Sequence, residues 1–194
     1  PPAIAIEQKA NTRNPRSTVG TSTEIYDYMK LLFARTGKTI SPVSGKEVMR
    51  HSVSDVVDYI LSFPEDTRVI IATPLRPLNG RTLTEVAELL MKQGFTRLEI
   101  NGEVKRIDEV SVSDNKNTGL ESCNLIIDRV IVKFDEDTRD RIADSVQTAF
   151  YEGHGGCRIK VYKNNEIVSA SFSNKFEADG IEFEEPTLHT FSFN

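Results

Sequence analysis

Residues 35–45 read Arg-Thr-Gly-Lys-Thr-Ile-Ser-Pro-Val-Ser-Gly, and Gly37-Lys38-Thr39 is the closing triplet of a loop that cradles phosphate. That chemistry needs another glycine five residues before Gly37, a strand ahead of the loop and a helix after it, so that backbone amides converge on the anion. Leu32 stands at the first glycine position, and the apolar residues around it recur at helical spacing. A helix therefore ends where one should begin. The expectation is a helix stop at Gly37 and a solvated Lys38, with no nucleotide bound there.

The other reactive side chains are equally scattered. His51, His154 and His189 lie apart from one another and from Cys123 and Cys157, without the spacing of a zinc ligand set or a disulfide framework. Both cysteines are expected in the core. Ser145 has Asp144 beside it but lacks the strand-to-helix turn of a nucleophile elbow. Glu182, Glu184 and Glu185 read as a solvated acidic run. No catalytic residue and no metal site is expected.

Among the charged residues, two strand-like segments stand out: Arg97 and Glu99 in Thr96–Ile100, and Asp128 and Arg129 in Cys123–Lys133. A charge set into an apolar strand either pairs within the fold or points from an open sheet face toward a partner. Alternation puts Arg97 and Glu99 on one face and Asp128 and Arg129 on opposite faces. A third group, Lys9, Arg13 and Arg16, makes the polar run 9–17 cationic.

These residues need elements to hold them. The chain has 194 residues, 38% hydrophobic and 8% aromatic, enough for one large or two small globular domains. Its formal charge of −5 argues against a global electrostatic grip on nucleic acid. No segment reads as a membrane span or signal peptide, so a cytoplasmic location is expected, and a start on Pro1-Pro2 suggests a piece of a longer protein. Residues 3–8 alternate like a strand. A helix over Ile25–Phe33 follows, with hydroxyl caps at Thr21 to Thr23. After a Ser/Pro/Gly-rich connection, 39–50, the second region offers a helix capped by Ser54 and a buried strand, Arg68–Thr73. A helix from Thr82 or Thr84, the strand Thr96–Ile100 and a turn at Asn101-Gly102 come next. Cys123–Lys133, a helix over Arg139–Tyr151 and a hairpin turning on Asn164-Asn165 complete it. The fold class is α/β (α+β): a compact mixed sheet with helices packed on one face, preceded by an N-terminal strand-loop-helix arm.

Residues 1–37, PPAIAIEQKANTRNPRSTVGTSTEIYDYMKLLFARTG, resemble the UvrA family, ABC-type ATPases that recognise damage in bacterial nucleotide excision repair. The resemblance continues through SVSDVVDYILSFPEDTRVIIATPL, MKQGFTRLEINGEV, NLIIDRVIVK, RDRIADSVQTAF and FSFN, with a weak stretch near 111–119. It implies a fragment: 1–45 from the ATPase and signature domain I, 46–173 the UvrB-binding domain, and 174–194 a return segment toward a zinc module.

By the same resemblance Gln8 is the Q-loop glutamine that senses Mg²⁺ and nucleotide in the parent. Arg97 and Arg129 match basic positions that engage acidic residues of UvrB. Arg13 and Arg16 flank or lie in a run near the DNA-binding face. Ser41 and Ser44 stand where relatives carry Cys-Pro and a further Cys or His, and Glu177 and Asp179 where they carry a second pair of cysteines, so zinc is not expected. The fragment itself has no Walker A, signature or Walker B motif and is not expected to be an enzyme or to hold a cofactor; ATP and Mg²⁺, damaged DNA and a homodimer are what the resemblance implies for the parent. The alternative is a divergent paralogue whose insertion binds DNA or another protein.

Overall fold

The computed structural model describes residues 3–4, 19–75, 81–111, 122–163 and 166–191. It divides into two compact units, one joining 1–48 with 183–194 and the other spanning 49–182.

The first unit is built on α1 (Val19–Ser22) and α2 (Ile25–Thr36). Thr23 does not cap α2 as expected. Its hydroxyl donates back to the Val19 carbonyl, and Glu24 occupies the cap position without a side-chain bond. Gly37 does end α2, for a steric reason: its backbone is extended, and a β-carbon there would sit 2.3 Å from the Phe33 carbonyl oxygen. The Tyr26 hydroxyl donates to the Phe191 carbonyl, and the Phe33 and Phe191 rings are 6.0 Å apart. The strand expected at residues 3–8 falls mostly outside the described residues.

The second unit is a six-stranded sheet with helices on one side. Its elements are α3 (Val53–Leu61), β1 (Arg68–Pro74), α4 (Leu83–Lys92), β2 (Arg97–Ile100), β3 (Glu103–Arg106), β4 (Cys123–Ile131), α5 (Glu136–Glu152), β5 (Gly156–Lys163) and β6 (Glu166–Ser173), with a small hairpin of β7 (Glu177–Ala178) and β8 (Ile181–Glu182). The strand order is β3-β2-β4-β1-β5-β6. Every ladder is antiparallel. Because β4 lies between β1 and β2 and runs against both, β1–α4–β2 is a split crossover whose two strands run parallel without pairing.

The helices begin where a side chain caps them. Ser52, not Ser54, caps α3, because Asp55 three residues on returns the bond to the Ser52 amide. Thr82 and Glu85 do the same for α4. Asp135 accepts from the Thr138 amide, and α5 starts three residues before the expected Arg139. The helical stripes then bury against alternate strand residues. Val56, Val57, Ile60, Ile142, Val146 and Phe150 pack on Val69, Ile71, Val130, Ile159 and Val161, while Leu83, Val86 and Leu90 pack on Leu98, Ile100 and Leu125. This alternation defines the covered face and leaves the intervening residues on the other.

A cationic sheet face as the candidate functional site

The face opposite the helices is ordered by strand register into rows. One row runs Arg129 (β4), Ile70 (β1), Lys160 (β5), Ser169 (β6). About 7 Å along the strands, two residues away, Ala72 lies between Ile126 of β4 and Arg158 of β5. Arg97 of β2, one step beyond the Leu98–Leu125 pair, extends that row toward Arg106 of β3. Arg68 sits in a further row. Six cations, Arg68, Arg97, Arg106, Arg129, Arg158 and Lys160, thus share a face whose strands contribute a single carboxylate, Glu99. On a chain of net charge −5, that is a strong local reversal of sign.

What happens to the acidic neighbours decides the state of the two arginines singled out by sequence. Glu99 is buried, 3% exposed, and its carboxylate is taken up across the sheet. It accepts from the Asn124 amide at 2.7 Å and pairs with the Lys160 ammonium, while Arg158 donates to the Asn124 oxygen at 2.9 Å. Lys160 and Arg158 can reach over β1 because their path passes Ala72, which has almost no side chain to block it. Asp128 is on the other side. A bulge between Ile71 and Ala72 shifts β4 by one residue, which leaves both Ile127 and Asp128 toward the helices. There Asp128 makes a two-pronged pair with Arg141 of α5 at 2.8 Å and accepts from the Ser145 hydroxyl at 3.1 Å. Burial pushes its carboxyl upward, but the Arg141 guanidinium, the Arg129 amide and Ser145 outweigh that and hold it below the ordinary value.

Arg97 and Arg129 consequently lose their sequence neighbours as partners. Among the described residues neither forms a salt bridge; Arg97 donates only a 3.4 Å bond to the Thr96 hydroxyl. Arg106, by contrast, is held by Asp108 through two 2.9 Å bonds. Arg97 and Arg129 lie on one face of adjacent strands, and Asp128 and Arg129 point to opposite sides. Gln8, Arg13 and Arg16 lie outside the described residues.

Several of the remaining candidates have structural partners. Lys38 pairs with Glu47 at 2.8 Å. The Ser173 amide donates to His51 Nδ1, whose ring meets Phe172 edge-on at 5.1 Å. Burial pushes the Cys157 thiol up to about 12, far from the thiolate a metal needs. Ser41 and Ser44 sit in a closed loop in which their hydroxyls accept from the Val43 and Lys46 amides at 3.3 and 3.4 Å. The Glu177 carboxylate accepts from Ser173 at 3.0 Å. Among the described residues no group of three or more His, Cys, Asp or Glu is placed to hold a metal. A cleft of about 690 Å³ opens on the helical side, floored by Val86, Leu90 and Leu125 and rimmed by Tyr151 and His154.

Sequence reasoning missed Arg68, Arg106, Arg158 and Lys160 as members of this face. The signal for two of them was present: Cys157-Arg158-Ile159-Lys160-Val161-Tyr162 alternates without a break.

The family model of the UvrA interaction domain matches residues 51–163, from the residue before the α3 cap to the end of β5. The chain belongs to that family. All six face cations lie within the span that the UvrA interaction domain model matches. The chain is also 40% identical over 195 residues to UvrABC system protein A of Clostridium tetani, covering all of this chain and 20% of that protein. The corresponding protein of Methanothermobacter thermautotrophicus is 40% identical over 197 residues, covering all of the chain and 20% of the relative. That of Bacillus subtilis is 40% identical over 168 residues, covering 86% and 17%. The chain spans about a fifth of the length of the curated relatives it matches.

Proposed function

We propose that this chain is the docking insertion of a UvrA protein of the UvrABC repair system, and that its cationic sheet face receives acidic side chains of UvrB. One observation carries the reading: Arg97 and Arg129 share a face on neighbouring strands while the fold engages Glu99 and Asp128 elsewhere. Two guanidiniums without acidic partners among the described residues contribute little to the fold. Their planar forks suit bidentate capture of carboxylates on another protein. The family membership and the UvrABC names of the relatives support the choice of partner.

The role is non-catalytic. In the parent, Gln8 would sense nucleotide and Mg²⁺ in an ABC-type ATPase, Arg13 and Arg16 would lie near damaged DNA, and the parent would act as a cytoplasmic homodimer. Among the described residues no helix is long and apolar enough to cross a membrane. The serines and carboxylates at 41, 44, 177 and 179 support a chain that folds without zinc.

The experiment is a titration of the purified chain with UvrB over a salt series, beside the same series with duplex DNA. Docking through these arginines gives saturable UvrB binding that weakens with salt. Tight DNA binding with no response to UvrB would favour the divergent paralogue instead, since phosphates also take arginine forks.

A further inference from the structure

Two residues along the strands from the Arg129 row, the same face carries a row of a different character. Ile131 of β4 pairs with Arg68 of β1, Arg68 with Tyr162 of β5, and Tyr162 with Ile167 of β6. The three apolar side chains are 49%, 38% and 57% exposed, respectively. Ile131 and Tyr162 alternate with Val130 and Val161, which are buried against the helices, and Ile167 is the register partner of Tyr162, so all three belong to the open side. Arg68 divides the row, with Ile131 on one side of it and Tyr162 and Ile167 together on the other. The central residues of this face are otherwise closed over: Ile70, Ala72 and Ile126 are buried.

We propose that this row is the apolar anchor of the docking surface, and that it takes an aliphatic or aromatic side chain of an acidic protein partner. The inference rests on the docking reading above and adds the partner's chemistry. The partner presents a carboxylate to Arg129 and, about 12 Å away, an apolar group to Tyr162 beside Ile167, because β5 lies two strands across from β4 and the rows are two residues apart. A second copy of this chain is a poor occupant, because two faces of like charge would meet. Duplex DNA is a poor one too, since phosphates gain nothing from isoleucine. Tyrosine flanked by aliphatic residues and arginine matches the composition of an interface centre, where a few such side chains dominate affinity.

The test is the affinity of the chain and of Tyr162→Ala, Ile167→Thr and Arg129→Glu for purified UvrB, at low salt and at about 0.5 M NaCl, where exposed charges are screened. Circular dichroism checks the fold of each. Ile167→Thr keeps a β-branched side chain on the edge strand β6 and serves if Tyr162→Ala unfolds. Expected is a loss of roughly tenfold or more for each apolar variant, equal at both salt concentrations, while the Arg129→Glu loss shrinks with salt. If the apolar variants bind as the parent chain does and Arg129→Glu does not, the anchor is wrong and the docking reading survives. Should no variant change UvrB affinity, both fail; duplex DNA binding that depends on Tyr162 overturns the choice of partner.

Discussion

Replacing Lys160 by methionine keeps the length and packing of its stem but removes the ammonium from the buried Glu99 carboxylate. Glu99 has a side chain only 4% exposed and Lys160 one 19% exposed, so the pair is largely withdrawn from water. After the change the carboxylate retains, among the described residues, only the Asn124 amide. Removing one member of a buried pair costs about 3–5 kcal/mol, because the other charge is left uncompensated. The lower end applies here, since the Lys160 end of the site is open enough to admit water. An exposed pair such as Arg139–Asp58, with side chains 53% and 66% exposed, is worth less than about 1 kcal/mol. The assay is urea unfolding by far-UV circular dichroism for Lys160→Met, Glu99→Gln and the double variant. Lys160→Met should lose about 3 kcal/mol, and the double variant should recover most of it by removing the stranded charge. A loss below about 1 kcal/mol, or no recovery in the double variant, refutes a buried cross-sheet pair.

Gly153→Ala should destabilise the second unit by about 2 kcal/mol or more, because a β-carbon there would lie 1.7 Å from Thr73 Oγ1 and 2.3 Å from the Gly156 carbonyl oxygen, breaking the bond between those two groups; thermal unfolding measures it. For Asp128, whose carboxyl is held below its ordinary value, the stabilising contribution is present above about pH 4 and is lost as pH falls through the depressed value. Asp128→Asn should therefore show a shallower loss of stability than the parent chain in acid, and equal slopes would contradict the Arg141 and Ser145 contacts. Elemental analysis of the chain purified without chelator should find no stoichiometric zinc; a full equivalent would mean that Ser41, Ser44, Glu177 and Asp179 do not mark lost ligands.

Most of the fold could be read locally. The stripes Val56-Val57-Ile60 and Val86-Ala87-Leu90 carry their own periodicity, and Asn101-Gly102 marks its own turn. Helix starts were harder, because several hydroxyls compete and the choice depends on reciprocity: Ser52 wins over Ser54 through Asp55 at the third helical position. The face of Arg97 followed from alternation, but the state of its neighbour did not. Glu99 and Lys160 are 61 residues apart, and they meet only because the order β2-β4-β1-β5 places Ala72 between them. The bulge in β4 was equally hidden, since an extra residue in a strand leaves the hydrophobic pattern of Leu125, Ile126 and Ile127 looking continuous.

The central claim is that Arg97 and Arg129 serve a partner and not the fold. Its most direct test is isothermal titration of UvrB into the chain and into Arg97→Glu and Arg129→Glu, with the melting temperature of each recorded alongside. Loss of measurable binding in both variants at nearly unchanged melting temperature is the result expected. Normal binding in both would place the docking surface elsewhere, and unfolding of both would make these arginines members of internal pairs after all.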